Sequence, residues 1–410
     1  IVWAFIPLGL FAQQTVTLQD CWNGAKVQLP LLQNTHAFAK LDSLEQLVLK
    51  TNYFPQLNVK AQATWQSDVT SLEIPIPNIT MEDPSKEQYK VYLEINQLIW
   101  DGGRTKTLRE NSSAQYELSK AETNEAFYGV KERVAGLYFA LMLSQQQIML
   151  TKELISTLEN RLEELKSSVM HGIVREAGLY VLQAEKLRAE QSLSNQVLQA
   201  NGVANMLNVL TGLEITVEWQ LEKPLAVIPN QVNRSQLRVY DLQFQSAEFG
   251  KELLKKNRMP MISAFSQAGY GKPGMNMLKD EADSWLLIGA GVSWNIFDWN
   301  SSKRKQEKLQ VQQEMIDHGR EQFLYQISVD EKRIMSEIQQ FETALLKDDE
   351  IIVLRQKITQ DFNSQLTQGT VTSSAYVEEL YKELSAKISR EINKIRLNQA
   401  QVALQILLEE

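Results

Sequence analysis

The feature that most constrains this 410-residue chain is an internal repeat with a fixed period. Ile99-Trp100-Asp101-Gly102-Gly103 returns as Ile296-Phe297-Asp298-Trp299-Asn300, and Lys106 returns as Lys303. His171-Gly172-Ile173-Val174 returns as Gln368-Gly369-Thr370-Val371. Asp298 stands 197 positions after Asp101, and Gly369 stands 197 positions after Gly172. Two landmarks at one offset, joined in both halves by helix-patterned sequence, predict one supersecondary plan used twice.

Each copy opens with a hairpin pattern. Leu57, Val59, Ala61, Ala63 and Trp65 alternate with Gln56, Asn58, Lys60, Gln62 and Thr64, and Val91, Leu93, Ile95 and Ile99 alternate again. A strand over 261–270 and the alternation of Leu286, Ile288, Ala290, Val292, Trp294 and Ile296 repeat this. From Arg104 the period becomes 3.5: Phe127, Val130, Val134, Leu137, Leu141, Ser144, Ile148, Thr151, Ile155, Leu158, Leu162, Leu165 and Val169 step by threes and fours without a slip. No proline interrupts 104–171, so one helix of about 100 Å is expected. The low totals of 18 Gly and 10 Pro fit long, uninterrupted elements.

These patterns divide the chain. Residues 13–212 form a first repeat (hairpin 55–100, long helix 104–171, return helix 177–211), and 213–234, with Pro224 and Pro229, a non-helical insert. Residues 235–410 form the second (hairpin 260–298, long helix 301–368, return helix 373–408). Asp101, Gly102, Gly103, Asp298 and Asn300 mark the junctions between strand and long helix. A helical stretch from Leu18 to Lys50, broken at Pro30, precedes the first hairpin, with Leu41, Leu44, Leu47 and Val48 on one face.

Residues 1–12 read as the apolar core and small-residue end of a secretory signal, with Ala12 the last residue removed. Leu18-Gln19-Asp20 lacks the small residues expected before a lipidated cysteine, and one cysteine makes no intrachain disulfide. No apolar run approaches the roughly 18 residues of a membrane-spanning helix. A net charge of −8 gives nucleic acid no electrostatic support. His36, His171 and His318 stand singly, without ligand spacing, and no nucleophile motif or phosphate loop occurs. The expectation is a protein that is not an enzyme and carries no cofactor or metal.

Four strands with alternate apolar residues cannot close a barrel, and their open edges would be unsatisfied in lipid. Three chains pool twelve strands, an allowed number, and their helix pairs pool into a hollow coiled-coil cylinder. The expected fold is mixed and mainly α: a trimeric α/β barrel, twelve strands in the membrane continued by an antiparallel helical barrel. The alternative is a soluble coiled-coil tether or adaptor without a pore. Trp65, Trp100, Tyr270, Trp285, Trp294 and Trp299 at the strand ends favour a membrane interface over a tether.

Tyr53-Phe54-Pro55-Gln56-Leu57, Trp100-Asp101-Gly102-Gly103-Arg104, the doubled plan and the turns at Gly172 and Gly369 together resemble the TolC-like outer-membrane factors, the outer membrane efflux protein family. The resemblance covers about Thr15 to Glu410. It implies a passive exit duct in the outer membrane, with its helical barrel in the periplasm, serving a tripartite efflux or type I secretion system. It implies a homotrimer in outer-membrane lipid, a periplasmic adaptor (membrane fusion) protein, and an inner-membrane pump of the resistance-nodulation-division (RND) or ATP-driven (ABC) type. It places Gly172, Ile173, Val174, Gly369, Thr370 and Val371 at the tip that meets the adaptor, and the insert and termini in an equatorial belt. The chain departs from the family six positions after each turn glycine, where Gly178 and Ala375 replace a common Asp. For a pore constriction, periodicity sets both Glu378 and Glu379 opposite the Val377–Leu380–Leu384 seam and does not choose between them; the resemblance favours Glu378.

Overall fold

The computed structural model describes residues 15–69, 85–171, 175–276 and 279–409. The expected signal segment, 1–12, and the first tip, Gly172, Ile173 and Val174, lie outside these residues. In chain order the elements are β1 (Thr15–Val16), α1 (Leu18–Gln28), α2 (Pro30–Lys50), a 3-10 turn (Thr51–Tyr53), β2 (Gln56–Trp65), β3 (Glu87–Trp100), α3 (Arg104–Met170), α4 (Glu176–Thr211), β4 (Gln220–Leu221), α5 (Ser235–Lys256), β5 (Met261–Lys272), β6 (Asp283–Ser293), α6 (Ser301–Thr367) and α7 (Ser373–Leu408). The long helices α3 and α6 each have 67 residues, and the return helices α4 and α7 each have 36.

The chain separates into two compact units, and each contains pieces of both repeats. The first comprises 1–35, 121–238 and 320–410. None of the thirteen α3 heptad positions is exposed, which is what a 3.5-residue seam packed along its whole length requires. Val134, Tyr138, Phe139 and Leu141 join Cys21 of α1 and Ala200, Ala204 and Leu207 of α4 in one core. Gly24 lets α1 approach α4 closely, since a Cβ there would lie 2.4 Å from the Thr211 carbonyl oxygen. The start of the chain and the insert are joined as strands: β1 and β4 pair in parallel, and the buried Tyr138 hydroxyl reaches the carbonyls of Val16 (2.9 Å) and Glu222 (2.6 Å). Burial is the largest of the causes that raise this phenol above its ordinary range. A second core gathers Leu158, Leu162 and Leu165 of α3, Leu182 of α4, Leu366 of α6, and Tyr376, Val377 and Leu380 of α7.

The second unit comprises 36–120 and 239–319 and carries a four-stranded sheet in the order β2-β3-β5-β6. All three pairings are antiparallel, so the two hairpins of the repeat are joined by a β3–β5 ladder. Helix α2 begins at Pro30, a position that needs no backbone N–H, and has no buried residue; Leu41, Leu44, Leu47 and Val48 all stay exposed. Among the described residues nothing covers their common face.

Two details differ from the sequence reading. The last strand stops at Ser293, so Trp294 and Ile296 fall outside it. Its ladder partner β5 begins at Met261, opposite Ser293, and later residues have no backbone to pair with. Trp294 instead donates its indole N–H to the Arg258 carbonyl at 2.9 Å. In β3 an irregularity between Leu98 and Trp100 breaks the simple alternation: Leu98 pairs with Ser263, and Trp100 pairs with the next residue, Ile262. The extra residue, Ile99, re-aims Trp100 to the face of Ile262.

Candidate functional site

The sheet register assigns its faces. Directly paired residues of antiparallel strands share a face. One face therefore collects Leu57, Val59 and Trp65 of β2, Val91, Leu93 and Ile95 of β3, Ala264, Ala268 and Tyr270 of β5, and Leu286, Ile288 and Val292 of β6. These apolar side chains are uncovered: Val59 is 74 % and Ile288 72 % exposed. A contiguous apolar surface of this kind is a membrane or partner face, not the outside of a soluble sheet. Among the described residues the order leaves β2 and β6 at the two edges, each with one row of backbone groups outside any ladder.

The opposite face is polar toward β2 and aromatic toward β6. Glu94, 7 % exposed, accepts hydrogen bonds from Lys60 (2.6 Å), Asn96 (2.7 Å) and Gln267 (2.7 Å), tying three strands together. Tyr92, Phe265, Trp285 and Leu287 lie on the same face. Trp285 pairs with Gly269 and Gly269 with Tyr92, so this tryptophan faces away from the apolar surface, contrary to its reading as one of the interface aromatics.

Asp101 and Asp298 stand at matching strand-to-helix junctions. Asp101 accepts the Gly103 N–H (3.0 Å), the Thr105 N–H (2.7 Å) and the Tyr53 hydroxyl (2.7 Å). These backbone donors fall at the start of the helix, where intrahelical acceptors are lacking. Burial pushes the Asp101 carboxyl up, but the hydrogen bonds from Thr105, Tyr53 and Gly103 outweigh it and hold it below its ordinary range. Asp298 accepts the Ser302 N–H at 2.9 Å, and its hydrogen bonds with Ser302 likewise hold it low. Gly102, Gly103, Trp299 and Asn300 all adopt positive φ.

The turn from α6 to α7 is a Schellman closure. Gly369 has φ +73°, its N–H donates to Leu366 O (3.0 Å), and the Thr370 N–H donates to Gln365 O (3.0 Å). Thr372 rather than Ser373 caps α7, its hydroxyl accepting the Ala375 N–H at 3.2 Å. Beyond the cap, Glu378 and Glu379 part company. The Glu378 side chain is 68 % exposed and pairs with Lys382 at 2.7 Å. The Glu379 side chain is 14 % exposed, pairs with Lys382 at 2.8 Å, and reaches Arg355 of α6 at 3.1 Å. Glu379 thus points toward the neighbouring helix, and only Glu378 lies opposite the apolar seam as expected of both. Among the described residues no group of three or more His, Cys, Asp or Glu is placed to hold a metal.

No curated protein matches the chain. Residues 41–213 match the family model described as "Outer membrane efflux protein". Solved structures share the fold over nearly the whole chain. The outer-membrane channel OprN superposes with a TM-score of 0.69 at 14% identity, over 95% of this chain and 89% of its own. The Campylobacter jejuni CmeC outer membrane channel gives 0.66 at 13%, over 95% and 84%. The outer membrane protein VceC of Vibrio cholerae gives 0.64 at 13%, over 95% and 94%. Residues 41–213 thus resemble the outer membrane efflux protein family, and the chain as a whole shares the fold of these channels. It is an outer-membrane efflux channel with the TolC-like fold.

In this efflux protein the sheet keeps its apolar face uncovered and carries Lys60 and Glu94 on the other. The glutamate network on the opposite face escaped the sequence reading. Lys60 and Glu94 are 34 residues apart and meet only diagonally, since Lys60 pairs with Tyr92 and Glu94 with Asn58. The one available signal was that two strands apolar on one side carried a lysine, Lys60, and a carboxylate, Glu94, on the other.

Proposed function

We propose that the chain is the protomer of a homotrimeric outer-membrane duct, whose polar sheet face lines the lumen and whose helix turns meet a periplasmic adaptor. In this reading three sheets of four strands close through their β2 and β6 edges into one twelve-stranded barrel. One observation carries it: a sheet with an uncovered apolar face and two unpaired edges cannot stand alone in lipid, and edge-to-edge closure satisfies both at once. The reading implies an adaptor and an inner-membrane pump, of RND or ABC type, feeding cargo into the helical barrel. Native mass spectrometry in detergent should return three protomers; a stable monomer in bilayers contradicts the trimer.

The turns at Gly172 and Gly369 are the adaptor contact in this proposal, with Ile173, Val174, Thr370 and Val371 beside them. Cysteines introduced at Val174 and Val371 should crosslink to the adaptor. The native Cys21 does not compete: it is fully buried, and burial, with a contribution from Asp20, pushes its thiol up to about 12. Crosslinking only from the strand loops would contradict the contact. Glu378 is the constriction residue, for it is exposed, whereas Glu379 is engaged with Arg355. A threefold ring of carboxylates favours cations. Glu378→Ala should shift the reversal potential under a salt gradient toward less cation preference. A shift in Glu379→Ala and none in Glu378→Ala would reverse the assignment.

A further inference from the structure

The glycines of β5 and β6 on the polar face serve as seats for large side chains. The Phe265 ring lies over Gly289, where a Cβ would come within 2.6 Å of the ring Cζ. Tyr92 and Trp285 flank Gly269 from the two neighbouring strands; a Cβ there would lie 2.5 Å from Tyr92 Cβ and 2.9 Å from Trp285 Cζ2. The Tyr92 and Trp285 rings are 5.5 Å apart, centroid to centroid, and tilted by 45°. Glycines here leave room for three rings to pack against the strands, so a π surface is offered on this face. Lys90 borders this surface, with Nζ 5.8 Å from the Tyr92 centroid.

The charges on this face decide what such a surface suits. Lys60 is tied to Glu94. Lys90 forms no ion pair among the described residues. The acid in its own row, Asp283, stands across Gly271 and accepts the Ser284 N–H at 2.8 Å. An aromatic surface with an uncommitted ammonium at its border matches a molecule with a planar ring and an anionic group, the ring on Trp285 or Tyr92 and the anion at Lys90.

We propose that Tyr92, Phe265, Trp285 and Lys90 form a wall subsite for planar aromatic anions in the exit barrel. It rests on the reading of the polar face as the lumen. The subsite is shallow, which suits a duct: cargo must be held weakly enough to leave.

The test is single-channel recording of the full-length protein in planar bilayers, with 1-naphthalenesulfonate added from the strand-loop side and methanesulfonate as the ringless control. Naphthalenesulfonate should interrupt the current and methanesulfonate should not. Trp285→Ala or Phe265→Ala should shorten the interruptions about fivefold, and Lys90→Gln should shorten them in the same direction. Trp285→Phe keeps a ring and should keep most of the block, which separates ring loss from misfolding. Equal responses to the two anions, or block times unchanged in both Trp285→Ala and Lys90→Gln, overturn the subsite while leaving the duct standing. Absence of any conductance in the wild type overturns the duct and the subsite with it.

Discussion

The two strand-to-helix junctions follow one plan with different residues. In both, an aspartate is followed by two residues with positive φ that reverse the chain, and a residue four positions after the aspartate donates its N–H to the carboxylate. In the first copy the positive φ values, 67° and 87°, fall on Gly102 and Gly103. In the second they are 55° and 61° and fall on Trp299 and Asn300. Asn tolerates the left-handed region; a bulky aromatic residue there is an outlier. The φ requirement therefore does not by itself demand glycine. Space does: a Cβ on Gly102 would lie 2.3 Å from Met259 Cβ, whereas Trp299 is 80 % exposed and meets no such obstacle. The carboxylates differ in the same sense. Asp101 is 2 % exposed and serves three donors, one of them the Tyr53 hydroxyl that ties the preceding turn to the junction.

This contrast can be broken at four points, each read as the urea midpoint of tryptophan fluorescence in detergent. Gly102→Ala should have the largest effect, a loss of about 3 kcal/mol from left-handed strain and overlap with Met259. Adding Met259→Ala should recover part of it. If nothing is recovered, space is not what requires glycine at this position.

Asp101→Ala should come next, at about 2 kcal/mol, because buried backbone donors and a hydroxyl lose their acceptor. Asp298→Ala should cost clearly less. Equal losses at the two aspartates would remove the distinction between a buried and an exposed junction.

Acid should sharpen the same distinction. The Asp101 carboxyl is held below its ordinary range, so its contribution is complete above that range and is lost as pH falls through the lowered value. Asp101→Asn should therefore flatten the acid limb of stability against pH, and an unchanged limb would assign that loss to other carboxylates.

Trp299→Gly should have the smallest effect and the opposite sign, a gain of up to about 1 kcal/mol from relief of the positive φ. No gain would mean that the contact between the Phe297 and Trp299 rings, 5.0 Å between centroids, offsets the strain.

Much of the fold was legible because it is periodic. The heptad from Phe127 to Val169 needs no tertiary information: a 3.5-residue seam can be satisfied only by packing, and every one of its positions is packed. The strand alternation likewise separates Leu57, Val59 and Trp65 from Asn58, Lys60 and Gln62 before any register is known. The site was less legible. Trp285 looks like an interface aromatic from its place at a strand end, yet it lies on the polar face, one position out of step with Leu286 and Ile288. Glu378 and Glu379 are adjacent, and periodicity could not separate them; the position of Arg355 on α6 did.

The sequence alone determined the doubled plan, the period of each element, the turn at Gly369 and the pairing of Asp101 with Asp298, since each is a matter of spacing along one chain. Only the tertiary structure decided which strands lie side by side, where β6 stops, which aspartate is buried, and that Lys60, Glu94 and Gln267 meet across three strands. The physical reason is the range of the interactions. Helix and strand periods are set by neighbours a few residues away. A cross-strand hydrogen bond, a ring seated over a glycine, or a Cβ excluded by Met259 depends on backbone brought together from tens to more than a hundred residues away.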